Sequence, residues 1–180
     1  QVGLPTNFKA ARFDSEHHTA ILRQLEADIS TARYDTEQGP IEIPVKLKIH
    51  DSVFVPLAKW CMLLAGNYRC IQKENMRSIK EAVHNDLEES RRIYQLVMDL
   101  CMTLGAKEED LVPFEKYAHA AKSLKNPSSA ARALFSGAPN IERVDLLVQI
   151  IAAKQNRHDF AIDEIVEFVN HRLEINRHDD

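Results

Sequence analysis

The chain has 180 residues, of which 44% are hydrophobic and 28% charged, and its 23 basic and 27 acidic side chains give a formal net charge of −4. This length suits a single domain, and no apolar run reaches the roughly 20 residues of a membrane-spanning helix. Charges of both signs are mixed along the chain, so we expect neither a membrane nor a nucleic acid as partner.

The three cysteines, Cys61, Cys70 and Cys101, lie in apolar or helical patterns without C-x-x-C spacing. This usage is typical of buried free thiols in a reducing compartment. We therefore predict a soluble, cytoplasmic protein.

The first half of the chain changes its hydrophobic period twice. Residues 1–13 show no period and predict a flexible lead-in, followed by a single helical domain over residues 14–176. Asp14 and Ser15 can cap a helix whose apolar residues recur at helical spacing to about Tyr34. Between residues 41 and 49 apolar and polar residues alternate, which predicts a short strand, and Pro44 would place that strand at a sheet edge.

The rest of the chain follows helical periods. The apolar stretch after Pro56 predicts a short helix in the centre of the core. Residues 68–104 predict a helix about 55 Å long, which is too long for this domain, so we expect a break between Asn75 and Asn85. Gly105 suits the left-handed end of that helix.

Four further helices are predicted in the last third. One begins near Pro113, and Ser128 can cap a second that ends at Phe135. Residues 141–155 are apolar around more than half of the helix and should be contacted from two sides. The last helix should bury one face, formed by Ile162, Ile165, Val166, Val169 and Leu173. The predicted fold is an all-α bundle of six to seven helices with at most one short strand-like segment near residues 41–49.

Glycine usage bears on cofactor binding. A dinucleotide site needs a glycine-rich turn between a strand and a helix, and no two of the five glycines lie close together. We therefore predict no cofactor in this chain.

Residues 126–173 combine an N-P-S-S box, a turn with Gly137, an E-R-V-D helix start and a last amphipathic helix. This order resembles the helical carboxy-terminal half of the ketopantoate reductase family, and the resemblance extends over roughly residues 57–173. It implies a substrate-binding and dimerisation domain of an NADPH-dependent reductase of small 2-oxo acids. In that family the cofactor lies in an upstream Rossmann domain, so enzymatic activity and NADP binding are expected only if such a domain is present.

The resemblance also suggests site residues. Asn126 and Ser129 match substrate-binding positions of the N-x-S-S box, and Glu142 matches the family's Glu if one residue is skipped; otherwise Arg143 replaces it. Lys59 is the only nearby candidate for the catalytic proton donor, although the family's lysine stands two residues after the Trp, where this chain has Met62. The family's downstream Asn falls on Gly66.

Each of these residues also has a structural interpretation. Asn126 to Ser129 is an ordinary helix stop followed by a helix start, Lys59 can be solvated, and Glu142 suits a first helical turn.

Two other functions are compatible with the sequence. A non-enzymatic helical module could bind a protein partner or form a homo-oligomer, through the exposed turns of residues 68–104 and the segment 41–49. A hemerythrin-like metal bundle is the third hypothesis, although the histidine spacing matches it weakly, and we predict no metal site. The residues concerned are His17, His18, His84, His119, His158 and His171, with Glu88 and Asp163.

Overall fold

The fold is mixed α/β, so the prediction of an all-α bundle with at most one strand is wrong. The computed structural model describes residues 6–178, and all side chains in that range except those of residues 6, 7 and 56. Within this range eight α-helices, together with one π-helical segment and short 3-10 turns, make the chain about 60% helical, and four strands form two small sheets. The chain divides into two compact units, residues 1–56 and 57–180, whereas its sequence predicts one domain over 14–176.

The first unit contains one helix and all four strands: β1 (Thr6–Ala11), α1 (Glu16–Thr31), β2 (Arg33–Thr36), β3 (Gly39–Glu42) and β4 (Val45–His50). β1 pairs in parallel with β4, and β2 pairs with β3 in an antiparallel hairpin. Gly39 has φ 109°, a left-handed backbone that glycine adopts without a Cβ clash. The predicted strand over 41–49 is therefore two strands, divided at Ile43 and Pro44.

Strand β1 lies inside the predicted lead-in, of which residues 1–5 fall outside the described range. Its sequence has no clear alternation, and its extended form is fixed by pairing with β4, more than thirty residues away. Long-range pairing of this kind overrides local preference. The predicted cap of α1 is confirmed, because the Ser15 side chain accepts a hydrogen bond from the His18 amide.

The second unit is helical. Its elements are α2 (Ala58–Met62), a π-helical segment (Leu63–Asn67), a 3-10 turn (Tyr68–Cys70), α3 (Ile79–His84), α4 (Leu87–Thr103), a 3-10 turn (Glu108–Asp110), α5 (Phe114–Ala121), α6 (Ser129–Phe135), α7 (Val144–Lys154) and α8 (Phe160–His178). A further 3-10 turn, Val55–Leu57, spans the boundary between the two units in the sequence.

The predicted break in the long helix is confirmed. The chain is irregular from Ile71 to Arg77, and α3 and α4 are separated at Asn85 and Asp86. Asp86 starts α4 by accepting a hydrogen bond from the Glu89 amide, so a new helix begins instead of a continuation. Gly105 follows α4 with φ 110°, as its position predicts.

The core of the second unit confirms two further predictions. The segment after Pro56 is central, with Ala58, Cys61, Leu64 and Ala65 all buried. All five apolar residues predicted to face inward on α8 are buried as well. Helix α7 contacts α8 as well as α4 and the π-helical segment, but Leu147 and Ile150 are 43% and 44% exposed, so its apolar surface is covered less completely than predicted. None of the helices in residues 6–178 combines the length and apolar character needed to cross a membrane.

Candidate functional site

The helical segment from Ala58 to Cys70 changes its winding twice, from α to π and then to 3-10. π-helical turns are rare and are frequent at functional sites. In this segment two backbone carbonyls accept hydrogen bonds from side-chain hydroxyls. The Tyr117 hydroxyl donates to the carbonyl of Met62 at 3.1 Å, and the Ser128 hydroxyl donates to the carbonyl of Asn67 at 2.7 Å.

Gly66 makes the first of these contacts possible. A Cβ at this position would lie 1.8 Å from the Tyr117 hydroxyl oxygen, so any larger residue would collide with it. The Tyr117 ring stacks on Tyr94 with centroids 5.5 Å apart, which holds it against the π-helical segment. Burial raises the pKa of the Tyr117 hydroxyl.

Lys59 lies on α2 and is exposed. Met62 occupies the position at which the resemblance expects a lysine, and a thioether has no proton to donate. The structure therefore leaves Lys59 as the only cation of α2.

The N-P-S-S box is held by its backbone and by Ser128. Asn126 and Ser129 are exposed, and the carbonyl of Asn126 accepts from the amide of Ile79 at 3.1 Å. Ser128 is 2% exposed and also accepts from the amide of Ala131, so it caps α6 as predicted. The capping interpretation of the box is confirmed for Ser128, whereas the side chains of Asn126 and Ser129 remain free to bind a ligand.

Glu142 is exposed, and its carbonyl accepts the Tyr68 hydroxyl at 2.6 Å. The amide of Val144 donates to the same hydroxyl oxygen at 3.1 Å. Burial is the main cause that raises the pKa of Tyr68 to about 12. Asp145 is fully buried, and its carboxylate accepts three hydrogen bonds from Arg143, at 3.0, 3.2 and 2.9 Å.

The two resemblance motifs thus meet at neighbouring residues. The N-P-S-S box binds Asn67 through Ser128, and the start of α7 binds Tyr68. The four predicted site side chains are brought to the surface of the second unit, but no hydrogen bond or ion pair joins Lys59, Asn126, Ser129 and Glu142 to one another. They also do not line the open groove of about 660 Å³ beside α4.

Sequence reasoning missed Tyr68, Tyr117 and Gly66. Their roles depend on contacts across 51 or more positions, for which a single sequence carries no signal. Of the histidines, His84 places Nε2 2.9 Å from the carbonyl of Ala118. Among residues 6–178 no group of three or more His, Cys, Asp or Glu side chains is arranged to hold a metal ion.

Comparisons of the chain with protein-family models, with curated proteins and with solved structures find no match.

Proposed function

We propose that the second unit is a helical substrate-binding domain of a ketopantoate-reductase-like enzyme that acts on a small 2-oxo acid. The observation that carries this proposal is the meeting of the two motifs at Asn67 and Tyr68, directly after the Trp60 helix. In the family that the sequence resembles, the residues that bind the substrate come from three corresponding segments. Here these segments are the Trp60 helix, the N-P-S-S box and the start of α7.

Each predicted residue has a role in this proposal. Asn126 and Ser129 would donate hydrogen bonds to oxygen atoms of the substrate, and Glu142 would accept one from a substrate hydroxyl, since all three side chains are accessible. Lys59 would give a proton to the alkoxide oxygen that forms as the carbonyl is reduced. The nicotinamide would be bound by another domain, because the described glycines stand singly and form no phosphate cradle.

Calorimetric titration of the chain with 2-oxoisovalerate tests this proposal. We expect saturable binding that Asn126→Ala weakens by about tenfold, since an unpaired substrate oxygen loses a hydrogen bond on the order of 1.4 kcal/mol. Ser123→Ala is the matched control, because Ser123 is an exposed serine that bonds only its own helix. No binding, or equal affinities for the two variants, would reject the proposal.

A second function, self-association, is favoured by the first unit. Among residues 8–55 only Thr19 is buried, so this unit has almost no core of its own. Its large exposed apolar side chains are Phe8, Phe13, Ile21, Leu25, Tyr34, Ile41 and Val53. Each strand also pairs on one edge only, and a two-stranded sheet is marginally stable.

We therefore propose that the first unit is covered by the same unit of a second copy, which gives a homodimer. Ile21 and Leu25 are four residues apart on α1 and lie on one face of that helix. In a two-fold contact the same surface of both copies forms the interface. This one apolar face of α1 would therefore supply both sides of the contact.

A further inference from the structure

A small, partly open cavity of about 80 Å³ lies in the second unit between the 3-10 turn Tyr68–Cys70, the irregular segment after it, α4 and α8. We call it the Arg69–Arg77 cavity, after the two guanidinium groups that line it. Its apolar wall contains Ile71, Ile93 and Ile165, which are 1%, 0% and 5% exposed.

Neutral groups hold both arginines in place. Arg69 donates from Nη1 to the hydroxyl of Ser90, which is fully buried, and to the carbonyl of Ala65 at 3.4 Å. Arg77 donates from Nε to the carbonyl of Arg69 at 2.9 Å. The two side chains are therefore oriented by a hydroxyl and by the backbone, without help from a carboxylate.

Neither guanidinium has a counter-ion in the described part of the chain. Residues 6–178 contain no ion pair to Arg69 or Arg77, although both line this cavity. Burial lowers the pKa of Arg69 and the charge of Arg77 lowers it further, whereas the nearby carboxylates of Glu89 and Asp86 raise it in part. Both side chains are half-buried, and the carboxylates near Arg69 form no hydrogen bond with either guanidinium, so a directly bound anion would stabilise the two cations.

The two acidic residues of the cavity do not supply that anion. Glu89 makes a two-pronged contact with Arg92, at 2.6 and 2.7 Å, so it acts on Arg69 through its charge alone and forms no hydrogen bond with it. Glu164 is exposed and forms no hydrogen bond with another described residue. Meanwhile Nη2 of Arg69 and both Nη atoms of Arg77 have no hydrogen-bond partner among residues 6–178.

Donor geometry and size define the ligand. Guanidinium groups bind planar carboxylates and tetrahedral phosphates through paired N–H donors. The cavity of about 80 Å³ has room for roughly two or three water molecules at about 30 Å³ each, which suits one oxyanion group and excludes a nucleotide. We infer that the Arg69–Arg77 cavity binds a small oxyanion, either a carboxylate or a phosphate.

Titration of the full chain, ¹⁵N-labelled, with sodium phosphate and separately with sodium acetate tests this inference, with sodium chloride at equal ionic strength as reference. We expect saturable shifts of the Arg69 and Arg77 Nε–H resonances with at least one oxyanion and not with chloride. Saturation by phosphate alone or acetate alone identifies the preferred group. Shifts that remain linear, or that chloride reproduces, would overturn the inference.

Variants locate the site. Arg77→Gln should weaken oxyanion binding by about tenfold or more, as loss of one charge-assisted pair implies. Arg157→Gln removes the same charge from an exposed arginine outside the cavity and should leave affinity unchanged. If Arg77→Gln does not fold, Arg77→Lys can replace it. Lysine keeps the positive charge but lacks the paired N–H donors of a guanidinium, so this variant should still weaken oxyanion binding. Equal affinities for the Arg77 and Arg157 variants would reject the cavity as the site. This test uses no 2-oxo acid, so its outcome is independent of the reductase proposal.

Discussion

Position 66 has no room for a side chain, which allows a specific prediction. A Cβ there would lie 1.8 Å from the Tyr117 hydroxyl and 3.1 Å from Val83 Cγ2. The Tyr117 ring cannot move away because it is stacked on Tyr94 in the core. We expect Gly66→Ala to lower the free energy of unfolding by about 1–3 kcal/mol, measured by urea denaturation.

Tyr117→Phe provides the control for this substitution. It removes the oxygen that collides with the new methyl group, together with the hydrogen bond to Met62. The double variant should therefore be more stable than the sum of the two single losses predicts. Strictly additive losses would mean that the contact with the Tyr117 hydroxyl is not the reason why position 66 requires glycine.

Ser128 and Ser129 are adjacent but have different surroundings, so they form a matched pair. Ser128→Ala removes a helix cap and leaves the carbonyl of Asn67 without its partner, and we expect a loss of about 1–3 kcal/mol. Ser129→Ala changes an exposed residue and should cost less than about 0.5 kcal/mol. The free energies of unfolding of both variants can be measured by thermal or urea denaturation. A larger loss of stability for Ser129→Ala than for Ser128→Ala would contradict the structure.

The same serines show what a sequence can predict at this scale. The cap by Ser128 is local and follows from residue type and position. Its second bond, to Asn67, spans 61 positions and has no local signature. Leu147 illustrates the opposite error, because an apolar residue in an apolar helix was expected inside, yet it is 43% exposed.

At the scale of elements, the start of α8 is tied to α4 by charge. The Asp159 carboxylate accepts hydrogen bonds from the amides of Ala161 and Ile162 and forms an ion pair with Arg92, which also binds Glu89. Asp159→Asn weakens both the cap and the ion pair, and we expect a loss of about 1–2 kcal/mol at pH 7. Asp99→Asn, on α4 with a single contact to Gln95, is the control and should be near neutral.

The pH dependence of this loss has a definite sign. Burial raises the pKa of Asp159, but Arg92 and the backbone amides outweigh it, so its pKa lies below the ordinary 3.8. The hydrogen bond from Arg92 similarly holds the pKa of Glu89 below 4.5. The stabilisation is therefore complete above these ordinary values and is lost as pH falls through the lower folded pKa values. The difference in free energy of unfolding between the wild type and Asp159→Asn, measured by urea denaturation, should become smaller from pH 5 to pH 3. A difference that grows over this range would show that Asp159 does not stabilise the protein through its charge.

Elements were predictable where a local signal agreed with the packing. α8 has one apolar stripe and buries it, and the break before α4 follows from chain length and polar residues. The π-helical winding of Leu63–Asn67 was not predictable, because contacts with Tyr117 and Ser128 stabilise it. β1 was missed for the same reason, since its partner β4 is distant in sequence.

For the whole molecule, the two units should differ in stability. Every buried hydrophobic residue of the described chain lies in the second unit, from Ala58 onward. We expect residues 57–180 alone to unfold cooperatively, with near-ultraviolet circular dichroism lost in one transition. Residues 1–56 alone should show no such transition, since burial of apolar area is the main source of stability. A cooperative transition for the short piece would show that the first unit does have its own core.

Self-association is the prediction that concerns the complete chain. Covering Ile21 and Leu25 with a second copy would give the first unit the apolar burial that it lacks. Sedimentation equilibrium at tens of micromolar should therefore give a mass above the 20.5 kDa of one chain. Leu25→Glu places a charge on the proposed contact and should return the mass to that of a monomer, because an unpaired charge is costly to bury.

Ile150→Glu is the control: Ile150 is 44% exposed, against 47% for Leu25, but it lies on α7, so the dimer should persist. If the unaltered chain is a monomer, or if both variants dissociate equally, the first unit is not the contact and the self-association proposal fails.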